Sequence, residues 1–309
     1  MVIDIHCHLW SQDTLSPTFY NHQAAFFAER WSVGGEGASQ EEAVSNLLAG
    51  WWDSTGEITL QRMDEAGIQL TVLFPVDFAS RVGEAGMSIE EQNRQLAQLQ
   101  EKNPDRFAFF FNIDPRREGA LEMCSKAVKE WGARGLKFHT VVGFYPTDEV
   151  VYPLLEVAQE AKIPVLFHSG PLMKPFDEKY AHPSHIEKAA ADFPDLTFIT
   201  AHLSFNWWRD LVECGRKRDN LCCDFSAWQM VAKNNYGQFR HVLRKVVDGF
   251  GKERVLFGTD SPAFDPFVSR AEWVQQVKKL AAPSEEGSHF TEDEMEAMLE
   301  GNARRVLGL

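Results

Sequence analysis

Eight short, almost wholly apolar runs, each followed by a segment of helical character or by a loop, set what this chain can fold into. The runs lie at residues 2–8 (VIDIHCH), 69–74 (QLTVLF), 107–113 (FAFFFNI), 135–139 (GLKFH), 164–168 (PVLFH), 196–202 (LTFITAH), 221–225 (LCCDF) and 254–258 (RVLFG). Near-continuous apolarity marks strands covered on both faces, as in parallel sheets. The intervening pattern predicts helices over 57–66, 88–102, 118–131, 147–161, 184–192, 205–216, 236–249 and 291–306. Gly67 supplies a stop after the first, Ser88 an N-cap for the second, and Thr291 with Glu294 a capping box for the last. Strands alternating with helices build parallel βα units. Eight units within 309 residues fit an α/β fold of one kind, a (β/α)8 TIM barrel spanning 1–309 as one domain. A doubly wound sheet competes, but no Gly-rich phosphate turn follows an early strand.

The rhythm is interrupted once. Residues 10 to about 55 carry Ser, Gly and Pro among scattered aromatics, including Trp10, Phe19, Trp51 and Trp52. This is long for a connection, and is expected to be a partly helical loop or lid insertion after strand one, or else a stabilising insertion.

Charge narrows the class of partner. A net charge of −14 and a pI near 5.2 argue against nucleic acid or an anionic membrane and leave a small molecule. Five scattered cysteines, an odd number, read as reduced thiols in a cytoplasmic setting. The N-terminus lacks a basic signal-like region and no apolar run approaches membrane-spanning length.

Chemistry collects at the strand ends, where a barrel of this kind places its active site. Side chains alternate along a strand, so His6 and His8 share a face about 7 Å apart. Alone, such a pair reads more readily as two half-buried histidines than as half of a metal site. Strand four adds Lys137 and His139, strand five His168, strand six His202, and strand eight runs into Asp260 through Gly258 and Thr259. Neutral imidazoles and a carboxylate suit Zn²⁺, Mn²⁺ or Fe²⁺. Asp4, further back on strand one, reads as a buried hydrogen-bond partner. Cys222 and Cys223 read as packing.

These motifs, in order, resemble the amidohydrolase superfamily, in its amidohydrolase 2 branch of aminocarboxymuconate-semialdehyde-decarboxylase-like proteins. The resemblance runs from DIHCH through GLKFH, IPVLFHSG, FPDLTFITAHLS and RVLFGTDSP to GNARRVLGL, essentially the whole chain. It implies a metal-dependent barrel in which His6, His8, His168 and Asp260 hold one divalent ion, zinc first, with manganese or iron as alternatives. It implies His202 as the residue that positions or deprotonates the attacking water and Asp260 as the proton shuttle. Lys137 has three readings: a carboxylated bridge between two ions, a contact for a substrate carboxylate, or an ion pair in the barrel mouth. His139 could orient a ligand, touch substrate or pack. Lys137, His139, Trp52 and Arg81 are the expected substrate contacts. Homodimers are common in the resembled branch. The expected activity is hydrolysis of a small amide, ester or lactone, with non-oxidative decarboxylation of an unsaturated or aromatic acid as the alternative and a catalytically silent scaffold as a third reading.

Overall fold

The computed structural model describes residues 1–31, 39–283 and 289–309. Residues 32–38, inside the expected insertion, lie outside the described residues. Eight strands pair in sequence order and in parallel: β1 (Ile3–Cys7), β2 (Leu70–Leu73), β3 (Phe107–Asn112), β4 (Gly135–Phe138), β5 (Val165–Phe167), β6 (Phe198–Thr200), β7 (Leu221–Asp224) and β8 (Val255–Leu256). The register runs Ile3 to Leu70, Thr71 to Phe107, Phe110 to Gly135, Leu136 to Val165, Val165 to Phe198, Phe198 to Leu221 and Cys223 to Val255. The last strand returns to the first through backbone bonds: Ile5 N donates to Phe257 O at 3.0 Å and Asp260 N to His6 O at 2.7 Å. The expected (β/α)8 TIM barrel is the fold.

Alternation along the strands divides the core in two. Ala108 and Phe110 of β3 join Ile3, Val72, Leu166 and Ile199 in one cluster inside the barrel. Phe107, Phe109 and Phe111 join Leu96, Cys124 and Ala127 between barrel and helices. A period-two separation of this kind is what a strand buried on both faces requires. All five cysteines are buried and free. Among the described residues, no helix is long and apolar enough to cross a membrane.

Among the described residues, the segment after β1 holds two helices, α1 (Pro17–Arg30) and α2 (Gln40–Trp51), which pack on each other. Each has a local start signal. Ser16 caps α1 ahead of Pro17, and Ser39 with Glu42 forms a full capping box on α2. Their aromatic sides dock on the barrel: Trp51 meets Trp10, and Phe27 meets Phe264 and Phe267. The expected closing helix over 291–306 is interrupted by a π-helical turn at Ala297–Gly301.

Candidate metal centre

The strand ends converge. His6 lies within β1 and His8 just past it; His139 and His168 follow β4 and β5 directly, Asp224 closes β7, and Asp260 follows β8. Close approach at Gly258 makes this fit. A Cβ there would come within 2.9 Å of the Cβ atoms of both His6 and Ser226. Asp260 takes a left-handed backbone, φ 54°. Asp4 holds the preceding residue, accepting from Thr259 N at 3.0 Å, Thr259 Oγ1 at 2.6 Å and His6 N at 3.1 Å, as its buried place predicted.

Hydrogen bonds behind the histidines fix where their protons sit. His6 Nδ1 donates to Asp224 Oδ2 at 2.9 Å, and His8 Nδ1 donates to Phe74 O at 3.2 Å. Each ring then presents a bare Nε2. Both bare nitrogens face Asp260 Oδ1, at 3.5 Å from His6 and 3.3 Å from His8. Three electron-pair donors meet, with Lys137 Nζ, 3.3 Å from His6 Nε2, as a proton donor beside them. Such a trio repels itself unless a cation sits among the atoms, and outer partners that orient imidazoles in this way are typical of metal sites. The donor set therefore fits a divalent ion, and His6, His8 and Asp260 would hold it.

A second trio, His6, His202 and Asp224, is also compact: its donor atoms, like those of the first, lie within 4.8 Å of one another. Asp224, however, is already engaged. Its Oδ1 accepts from His202 N at 3.1 Å, Ser226 N at 3.0 Å and Ser226 Oγ, while Oδ2 serves His6. It orients the neighbouring rings.

His202 lies beyond β6, not in it. Residues 202–205 take φ of 61, 46, 54 and 46°, a left-handed run without glycine. Isolated residues of this kind are strained, and the run is anchored by Trp228 Nε1 donating to His202 O at 2.7 Å and by a 2.7 Å contact between the Ser169 and Ser204 hydroxyls. The turn aims His202 Nε2 at His168 Nδ1, 3.2 Å away. His202 Nδ1 is 2.8 Å from Ser226 Oγ, whose own proton goes to Asp224, and His168 Nε2 is 3.2 Å from Gly170 O. The two facing nitrogens are thus again bare. His168 stands beside the first trio, in the same pocket wall, but is not among the three atoms that meet.

Burial, helped by Lys137, holds His6, His139 and His168 far below the usual histidine range, His168 at about 3; for His202 burial and then His6 and His168 do the same. The imidazoles of these four residues are neutral at pH 7. Lys137 is fully buried, its Nζ 3.3 Å from His6 Nε2 and 4.7 Å from the centre of the Phe74 ring. Burial pushes its ammonium down to about 7 against the pull of Asp224 and Asp260. His139 accepts at Nδ1 from Asn112 Nδ2, 2.9 Å away, which also donates to Pro75 O, so the His139 proton is on Nε2.

A small pocket opens above the cluster, about 380 Å³ with its mouth. Trp10, Phe19, Gln23, Phe78 and Leu172 line it beside the histidines and Asp260. Lys137 is beneath the wall. Trp52 caps α2 and packs on Tyr20, and Arg81 donates from Nε to Val142 O at 2.8 Å; neither lines the pocket. Of the expected substrate contacts only His139 lies in the wall, because backbone and ring partners outside hold Trp52 and Arg81. Phe19, Gln23 and Phe78 were not expected there, although Phe19 and Gln23, four apart on a helix, share a face.

The amidohydrolase family profile matches residues 3–309. The chain belongs to the amidohydrolase family. No curated protein sequence matches this amidohydrolase. Solved structures do match its fold. An uncharacterised TIM-barrel protein from Bordetella bronchiseptica is 23% identical over 99% of this chain and 98% of its own, with a TM-score of 0.71. A 5-carboxyvanillate decarboxylase from Novosphingobium aromaticivorans, complexed with manganese and 4-hydroxy-3-methoxy-5-nitrobenzoic acid, is 15% identical over 100% and 96%, with a TM-score of 0.67. A 4-oxalomesaconate hydratase from Rhodopseudomonas palustris is 20% identical over 100% and 96%, with a TM-score of 0.63. Enzymes of more than one reaction type thus share this barrel.

Proposed function

We propose that this amidohydrolase is a metal-dependent hydrolase of a small ester, lactone or amide. One observation carries the reading. Asp260 is the sole carboxylate among the described residues of the pocket wall, and its Oδ1 faces both bare imidazole nitrogens while its side chain keeps 17% exposure. A carboxylate placed at the ion and open to the pocket can take a proton from water and return it to a leaving group. An ion held by His6, His8 and Asp260, with His168 as the nearest further donor, would polarise the scissile carbonyl and acidify water. Two imidazoles and a carboxylate suit zinc, manganese or iron.

The remaining residues have separable tasks. His202 offers a bare Nε2 that can accept a hydrogen bond from the attacking water and hold it in place; Ser226 and Asp224 fix that ring. His139 keeps its proton on Nε2 and can donate it to a substrate oxygen. Aromatic walls exclude bulk water.

Decarboxylation is the second reading, favoured by the aromatic lining that Trp10, Phe19 and Phe78 supply. It is weakened by the wall's chemistry. Neither Lys137 nor Arg81 reaches the pocket, so no lysine or arginine among the described lining residues meets a substrate carboxylate. The test is a panel of lactones, aryl esters and anilides beside aromatic acids, run with the metal-loaded protein. Water-derived oxygen in a carboxylic acid product supports hydrolysis. CO₂ release from the aromatic acids, with no ester or amide cleaved, overturns it.

A further inference from the structure

Two side chains in the pocket wall carry polar atoms with no partner. Gln23 is 6% exposed, and its Oε1 is buried without a hydrogen bond. No hydrogen bond from its amide nitrogen occurs either. Trp10 is 4% exposed, and its indole N–H is likewise buried and unpartnered. Buried polar atoms are nearly always paired, and leaving one unpaired is costly.

The position of Gln23 sharpens this. On α1 it stands between Phe19 and Phe27, four residues from each, on a face that otherwise packs aromatics. A leucine would satisfy that face better. Packing therefore does not explain the amide, and its place in the wall above His6, His8 and Asp260 does. Among the described lining residues there is no lysine or arginine, so what faces Gln23 and Trp10 is not a carboxylate.

We propose that Gln23, together with Trp10, hydrogen-bonds an uncharged hydroxyl or carboxamide substituent of a ring-bearing substrate and so determines which small molecules the ion site acts on. A hydroxyl can donate to the amide oxygen and can accept from the indole N–H, so it suits either deficit. The inference rests on the hydrolase reading of the pocket, and its test is separable from that reading.

The probes are 3,4-dihydrocoumarin, a hydroxylated derivative and a carboxylated derivative, given to the metal-loaded protein. Wild type is expected to favour the hydroxylated over the unsubstituted lactone by about tenfold in kcat/KM, the scale of one buried hydrogen bond. Gln23→Met, which keeps volume and removes the amide, is expected to bring that ratio near one, and Trp10→Phe to lower it. Gln23→Lys is expected to turn preference toward the carboxylated lactone. A ratio unchanged in Gln23→Met, or a wild type that prefers the carboxylated probe, overturns the proposal. Should wild type cleave none of the three, hydrolysis is what fails. The same ratio is then read as dissociation constants by ligand-observed NMR, where equal constants, or no binding, overturn the role of Gln23.

Discussion

Asp224 Oδ2 accepts from His6 Nδ1 at 2.9 Å, and this contact leaves bare the nitrogen that faces Asp260. The same carboxylate also holds the backbone of His202. Asp224→Asn keeps the shape but offers an amide to a ring that needs an acceptor. Loss of such an orienting partner costs about 10–100-fold in metal affinity. Competition titration with a chromophoric chelator measures it, with circular dichroism as the fold control. Undiminished affinity would mean that Asp224 is a packing residue.

Metal content separates one ion from two. Elemental analysis of protein purified without chelators is expected to give a ratio near one, because the Asp224 oxygens already have donors and the second trio lacks a free carboxylate. Lys137→Met is expected to keep that ratio. Chelation should lower Tm and re-addition restore it, since ligand present at about a thousandfold over Kd stabilises by about 4 kcal/mol. A ratio near two that falls in Lys137→Met would point instead to a carboxylated lysine bridging two ions.

Much of this site was legible because it breaks a pattern. Histidine, lysine and aspartate at the ends of apolar runs stand out, and a parallel barrel brings those ends together whatever the loops do. His202 was legible as a residue but not as a conformation: nothing in Ala201-His202-Leu203-Ser204-Phe205 announces four left-handed residues, since none is glycine. Lys137 shows the limit of periodicity. Flanked by Leu136 and Phe138, it reads alike as a rim or an interior group, and only the three-dimensional contact with His6 and Phe74 decides. Gln23 was hidden for another reason. Its helix could have been found from Ser16-Pro17 and the segment that follows, but which face meets the barrel depends on tertiary packing. Trp52 and Arg81 drew notice by residue type alone, and their partners lie elsewhere.

Gly170 controls the His202 ring at one remove. Its φ of 138° favours glycine, and a Cβ there would overlap the Phe205 ring, which stacks on His202 at 5.1 Å. Gly170→Ala is expected to destabilise by about 1–3 kcal/mol through backbone strain and overpacking. It is also expected to lower kcat more than it raises KM, because the ring displaced is the one proposed to hold the attacking water rather than substrate. Thermal denaturation and steady-state kinetics on one cleavable probe check both halves. A lowered Tm with kcat intact would separate the packing from the chemistry.

Lys137 ties stability to pH. Burial lowers its ammonium from 10.5 to about 7, so between those values the unfolded chain binds the proton that the folded chain has released. Stability then rises with pH across that window. Below about pH 7 both states are protonated, and the full cost of the buried charge is present. Lys137→Met removes the group, so the variant is expected to exceed wild type most at and below about pH 7, by on the order of 5 kcal/mol, and to lose that advantage as pH rises toward 10.5. Urea midpoints of the two proteins at several pH values check the sign. Parallel curves would mean that the lysine keeps its proton in the folded barrel, paired more tightly with Asp224 and Asp260 than its burial suggests.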